Sequence, residues 1–208
     1  MTRSLAFLCL ALTLTRLWGA EPIQTLAIGA KAPDFNLPGV DGRNYALQDF
    51  AQAKILMVVF TCAHCPTAQY YEERLKRIVN DYRDKGVAVV AISPNDPKSV
   101  RLDELGYTDL SDSFEEMKIR AKHKQFNFPF LYDGDKEDVS RSYGPVATPH
   151  VFVFDAERKL RYAGRIDDSE REEFVKTHDV RLALEALLAG REVETKVTKS
   201  FGCSIKWA

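Results

Sequence analysis

Three short apolar runs organise the chain. Ile55 to Phe60 is continuously apolar, Val87 to Ile92 repeats the pattern, and Val151 to Phe154 is the third. Runs this short and this uniform predict strands covered on both faces. Between the first two, Tyr71, Leu75, Ile78, Val79 and Tyr82 recur at helical spacing with charged residues between them, and Gly86 closes the pattern. This is a β-α-β unit, so its strands should be parallel with a right-handed crossover.

Weaker signals fill in the rest. Gly29 to Phe50 reads as a loop with turns at Pro38-Gly39 and Asp41-Gly42 and a short strand through Tyr45-Ala46-Leu47. Ser93 to Asp112 reads as a long polar loop. Ser113-Phe114-Glu115-Glu116 is a capping box that predicts a helix to about Gln125. Phe128 to Tyr132 reads as a short strand and Asp138 to Tyr143 as a short helix. Asp155 to Arg158 turns the third apolar run into a hairpin partner, Lys159 to Ala163. Asp179 to Ala189 reads as a last helix, with Leu182, Ala186 and Leu187 on one face and Gly190 as its stop. The expected class is α/β: a mixed β-sheet flanked by helices, with an N-terminal extension and a C-terminal tail.

Composition narrows this only a little. At 208 residues, 45% apolar and 28% charged, the chain has the makings of one globular domain. Lysine and arginine number 29 against 30 aspartates and glutamates, which argues against nucleic acid as a partner. No basic amphipathic helix points to a membrane surface.

The N-terminus changes the picture more. Arg3, the apolar run Leu5 to Leu14, and Leu17-Trp18-Gly19-Ala20 resemble a secretory signal. The run is short for a membrane span. The expected plan is a signal over 1–20, with Thr25-Leu26-Ala27 as a later processing site, a folded domain over 29–190, and a tail over 191–208. The alternative is an uncleaved anchor. Either way an exported, periplasmic or extracytoplasmic chain is expected, with no membrane insertion beyond that segment. Processing would remove Cys9 and leave Cys62, Cys65 and Cys203, an odd number in a compartment that permits disulfides.

The candidate chemistry is the run Val58-Val59-Phe60-Thr61-Cys62-Ala63-His64-Cys65-Pro66. Two cysteines three apart at a helix start lie on one side of its first turn, close enough to pair. Free N–H groups and the helix dipole there favour thiolate, and a protonated His64 would add to this. Pro66 cannot donate to the carbonyl of Cys62, so regular helix is expected to begin near Cys65. A zinc site is the bland alternative, but the chain has no second Cys-x-x-Cys. Thr148-Pro149-His150 stands directly before the third apolar strand. Cys203 is either a small buried residue under a docked tail or a third redox thiol. His150 with Cys62 and Cys65 would suit copper(I), which makes a copper chaperone a rival from another class. His123 and His178 are expected at the surface.

Taken in order, Gly29-Ala30-Lys31-Ala32-Pro33-Asp34-Phe35-Asn36-Leu37-Pro38, Phe60 to Pro66, Tyr143-Gly144, Thr148-Pro149 and Phe152-Val153-Phe154-Asp155 resemble the thioredoxin-fold redoxins. That group covers thiol–disulfide oxidoreductases of the cytochrome-maturation type and the alkyl hydroperoxide reductase/thiol-specific antioxidant family. The ending Phe201 to Trp207 resembles that of a bacterial subgroup. The resemblance implies a thioredoxin-like sheet and a cis Pro149 facing the cysteines. It also implies that the backbone beside Pro149 pairs with a bound substrate chain. Cys62, as the more exposed cysteine, would form a mixed disulfide that Cys65 resolves, with His64 tuning the thiolate. Thiol or disulfide substrates and a redox partner protein are implied, and no organic cofactor.

The departures carry information. Thioredoxin's tryptophan before the first cysteine is Thr61 here, and its buried aspartate is Leu56. Ala63-His64 resembles the dipeptide of strongly oxidising thiol oxidases. Cys65-Pro66-Thr67 matches the segment that begins at a peroxidatic cysteine, so a thiol peroxidase using Cys65, with Cys203 resolving it, is the alternative. That family's threonine, proline and arginine fall at Cys62, Val58 and Pro149, which would weaken peroxide activation.

Overall fold

The computed structural model describes residues 23–105 and 110–208. The expected signal segment lies outside the described residues. Residues 25–32 are paired with the body of the domain: Leu26 N–H donates to the Tyr143 carbonyl, and Gly29 N–H and the Ala30 carbonyl bond to Leu160.

The chain order is β1 (Asn36–Pro38), β2 (Asn44–Ala46), β3 (Ile55–Phe60), α1 (Pro66–Tyr82), β4 (Val87–Ser93), α2 (Leu102–Leu105), α3 (Phe114–Lys124), β5 (Phe130–Tyr132), α4 (Asp138–Tyr143), β6 (His150–Phe154), β7 (Leu160–Gly164) and α5 (Asp179–Leu188). The main sheet runs β5-β4-β3-β6-β7. β3 is parallel to β4, as the β-α-β unit requires, β6 and β7 form the expected antiparallel hairpin, and β6 also pairs antiparallel with β3. β3 is apolar throughout because it is central and both faces are covered. Ile55, Met57 and Val59 face a core shared with α1, α3 and α5. Leu56, Val58 and Phe60 face a second core closed by β1, β2 and Tyr143 of α4. Helices thus flank the sheet, as expected.

Three readings need correction. The stretch Ser93 to Asp112, expected as a polar loop, carries the short helix α2 at Leu102–Leu105. The stretch expected as a loop before Tyr45 contains β1, paired Leu37↔Tyr45. Three residues with a proline at the end carry too little periodicity to announce a strand. In α5 the buried stripe is Val180, Ala183 and Leu184, while Leu182 is 62% exposed. Leu182 stands off the i, i+3, i+4 row that meets the sheet.

The tail continues the sheet and then crosses the site. Lys196 and Thr198 bond the backbone of Ala163 along β7, and Phe201 packs on Tyr71 of α1. Lys206 N–H donates to the Asn95 side-chain oxygen, the Lys206 carbonyl accepts from Asp96 N–H, and Trp207 lies under Arg141.

Candidate functional site

β3 ends at Phe60, and the loop Thr61–Cys65 carries the chain into α1. Cys65 is the N-cap, with its sulfur 3.5 Å from the Ala68 N–H, and Pro66 takes the first helical position. The helix start is therefore where the sequence puts it. The pairing of the sulfurs is not. Cys65 is joined to Cys203 across 138 residues, with Cα atoms 6.0 Å apart, and Cys62 is a free thiol. Cys62, Cys65 and Ala68 pack as one cluster against Cys203.

Cys62, expected as the more exposed of the pair, is 3% exposed against 0% for Cys65, so neither sulfur is open to a partner. Cys62 and Cys65 are both buried, and Cys203 is the half-exposed one. Cys203 borders a cleft of about 410 Å³ with His64, Pro66, Thr67 and Glu104. Nor is the Cys62 thiol acidic. Burial pushes it well above its ordinary value, and the negative charge of Asp112 adds to this. Hydrogen bonds from Thr148, the Cys65 backbone and Asn95 offset only part. Cys62 precedes the helix, so desolvation outweighs the dipole.

Thr148 lies against the sulfurs, and the Thr148-Pro149 peptide bond is cis as expected. The Cys62 thiol donates to Thr148 Oγ1 at 3.3 Å, and Cys65 Sγ is 3.6 Å from the Thr148 carbonyl oxygen. Thr148 N–H donates to the Cys203 carbonyl at 2.9 Å, so the tail pairs antiparallel with this segment. Gly202 permits that approach: a Cβ there would collide with the Thr148 carbonyl, and its φ is +141°.

The residues that the sequence did not single out are Asp112 and Asn95, both fully buried. Asp112 Oδ1 accepts from the backbone N–H groups of Ala63 and His64 at 2.8 and 2.9 Å. Asp112 Oδ2 is 2.6 Å from His64 Nδ1 and accepts from Asn95 Nδ2 at 2.6 Å. Asn95 Oδ1 accepts from the tail at Lys206 N–H, 2.9 Å away. Burial works against the Asp112 charge, but the bonds and charge of His64 and the bond from Asn95 outweigh it and hold the carboxyl below the ordinary range. In the sequence, Asp112 is only the end of a polar loop; its partners are 17 and 48 to 49 residues away in the chain.

Cys62, His64 and Asp112 offer ligand atoms within 4.8 Å of one another. Asp112 already holds four donors, so this is a hydrogen-bonded hub and not an open cation site. His150 is not part of it. Its Nδ1 accepts from Val146 N–H at 3.2 Å, its ring packs on Phe152, and burial pushes its pKa down to about 4. With Cys65 in a disulfide, the copper set of Cys62, Cys65 and His150 is not assembled. His123 and His178 are exposed, as expected.

A five-stranded mixed sheet, a cysteine capping the first helix and a cis-proline segment beside it define a thioredoxin-fold redoxin. Within that class the chain belongs to the AhpC/TSA family, which it matches over residues 28–163. It is similar to an uncharacterised conserved protein from Geobacillus kaustophilus, with a TM-score of 0.77, 37% identity and coverage of 88% of this chain and 93% of that one. A Mycobacterium tuberculosis relative with a peroxiredoxin name is 29% identical, over 61% of this chain and 90% of its own length. Thiol-disulfide oxidoreductase ResA of Bacillus cereus is 23% identical, over 74% of this chain and 79% of its own.

Proposed function

We propose that this protein is a thiol–disulfide oxidoreductase that exchanges its Cys65–Cys203 disulfide with the thiols of partner proteins or small molecules. The observation that carries the reading is a disulfide with one buried sulfur at a helix start and one sulfur bordering a cleft. An incoming thiolate attacks Cys203 Sγ. The bond to Cys65 breaks, and Cys65 leaves as a thiolate beside the free N–H groups of α1, which favour negative charge. A second thiol of the partner then attacks the mixed disulfide and releases Cys203. The partner departs as a disulfide, and the protein has gained two electrons and two protons. In reverse the same steps reduce a partner. Cys62 is the third thiol: once ionised, its attack on Cys65 frees Cys203 and closes a Cys62–Cys65 pair. Thr148, ahead of the cis Pro149, forms the wall against which Cys62 and Cys65 sit. The redoxin and ResA relatives support this chemistry, and the signal-like N-terminus supports an exported location, which secretion of a reporter fused to residues 1–27 would test.

The test is exchange with insulin or glutathione disulfide. Wild type is expected to exchange and Cys65→Ser to lose exchange. Cys203→Ser should fall back on the Cys62–Cys65 pair with partial activity. Wild-type protein that exchanges with neither substrate refutes the reading.

A second reading rests on Cys65-Pro66-Thr67 and on the same disulfide. Cys65 thiolate would attack a peroxide oxygen, forming a sulfenic acid as hydroxide or alkoxide leaves. Cys203 thiol would then condense with it, releasing water and giving the observed bond. Peroxide consumption that survives Cys62→Ser and vanishes in Cys65→Ser would favour it.

A further inference from the structure

We propose that Asp112 is a positioning residue that fixes His64 as the proton-transfer group for exchange at the Cys65–Cys203 disulfide. This rests on the thiol-exchange reading above. Three observations converge. Asp112 holds His64 at two points, the backbone N–H and ring Nδ1, so the ring cannot turn without losing a buried charged contact. Asp112 takes Nδ1, which leaves Nε2 as the ring nitrogen for proton exchange, on a side chain that is 2% exposed and lines the cleft. The ring borders the same cleft as Cys203. Leu56 fills the position where thioredoxin has its buried aspartate, and at 0% exposure it moves no protons. The carboxylate beside the cysteine loop is Asp112 instead, bonded to the Ala63 and His64 backbone and to the His64 ring.

The step balances. A partner thiol gives its proton to His64 Nε2 and its thiolate attacks Cys203 Sγ. The Cys65–Cys203 bond breaks with its electron pair on Cys65. The imidazolium then returns the proton to Cys65. The sum is one thiol plus one disulfide giving one mixed disulfide plus one thiol. Asp112 stays ionised and steadies the imidazolium between the two transfers.

Other groups face this ring or the cleft's rim. Glu104 of α2 borders the cleft, with Lys206 of the tail on its carboxylate. Glu170 accepts from Thr67. Cys62 is the titratable sulfur nearest Asp112. Asp112 is the one of these in contact with the ring, so its removal should dominate the pH response.

The experiment measures reduction of the oxidised full-length protein by glutathione against pH, with the rate expressed per thiolate. For wild type that rate should change with pH. His64→Gln should flatten the profile and lower the neutral-pH rate on the order of 100-fold. Asp112→Asn should lower the rate and alter the profile, because the ring has lost the carboxylate that aims it. If Asp112→Asn fails to fold, His64→Ala with added imidazole decides: the small base should restore the rate and its pH dependence. Wild type and both variants sharing one profile shape, or His64→Ala unmoved by imidazole, overturns the proposal. Wild type that is not reduced at any pH instead overturns the exchange reading beneath it.

Discussion

His150 gives the sharpest link between this structure and a solution measurement. The residue opens β6 opposite Phe60, is 4% exposed, and its pKa is pushed down to about 4 by burial alone. The unfolded chain titrates near the ordinary 6.5, so between that value and about 4 the unfolded state binds a proton that the folded state refuses. Stability therefore rises with pH across this window and is lost as pH falls through it. At ~1.4 kcal/mol per pH unit, the loss attributable to this one ring approaches roughly 3 kcal/mol at the acid end. His150→Asn retains an acceptor for the Val146 N–H but cannot ionise. It should cost a constant amount for the lost ring contact with Phe152. Guanidinium unfolding of wild type and His150→Asn at pH 7, 6, 5 and 4 isolates the ring, because all other titrations are shared. The gap between the two proteins should narrow, and can reverse, as pH falls. A gap that stays constant from pH 7 to 4 would refute the reasoning.

Two further outcomes follow from local geometry. Gly202→Ala drives a methyl into the Thr148 carbonyl and forces a residue with a side chain to φ near +141°, so the tail should loosen by about 1–3 kcal/mol. Dithiothreitol should then reduce Cys65–Cys203 faster, whereas Gly190→Ala, which meets open space, should leave that rate unchanged. Between α1 and α3, Glu72 and Arg120 form a two-point ion pair at 2.7 and 2.9 Å with both side chains largely buried. Arg120→Met strands the carboxylate and should cost about 3 kcal/mol in denaturant unfolding, while adding Glu72→Leu should recover most of it.

How much was legible in the sequence depended on the range of the physics. The β3-α1-β4 unit was legible because a buried central strand has no choice but to be apolar, and α1 advertises its face for four turns. The Cys65 cap and Pro66 were legible for the same local reason. The short β1 was not, and the pattern puts Leu182 on the wrong face of α5 because two leucine-bearing stripes compete there. At the site, the types of the reacting residues were readable but their partners were not. Nothing near Cys62 says that it is buried, and burial is what reverses the expected sign of its acidity. Cys203 could be read as a third thiol but not assigned to Cys65. Asp112 was unreadable because its role exists only once Ala63, His64 and Asn95 have been folded around it.

The long reach of the Cys65–Cys203 bond has one more consequence. A link that closes 138 residues restricts the denatured chain heavily, by about 5 kcal/mol in the chain-entropy picture. Folding and oxidation are then two sides of one thermodynamic cycle: whatever the bond adds to the native state, the native state adds to the bond. Each turnover that opens it also moves the whole domain down its stability scale. Reductant, heat and denaturant thus become partly interchangeable stresses on the same molecule.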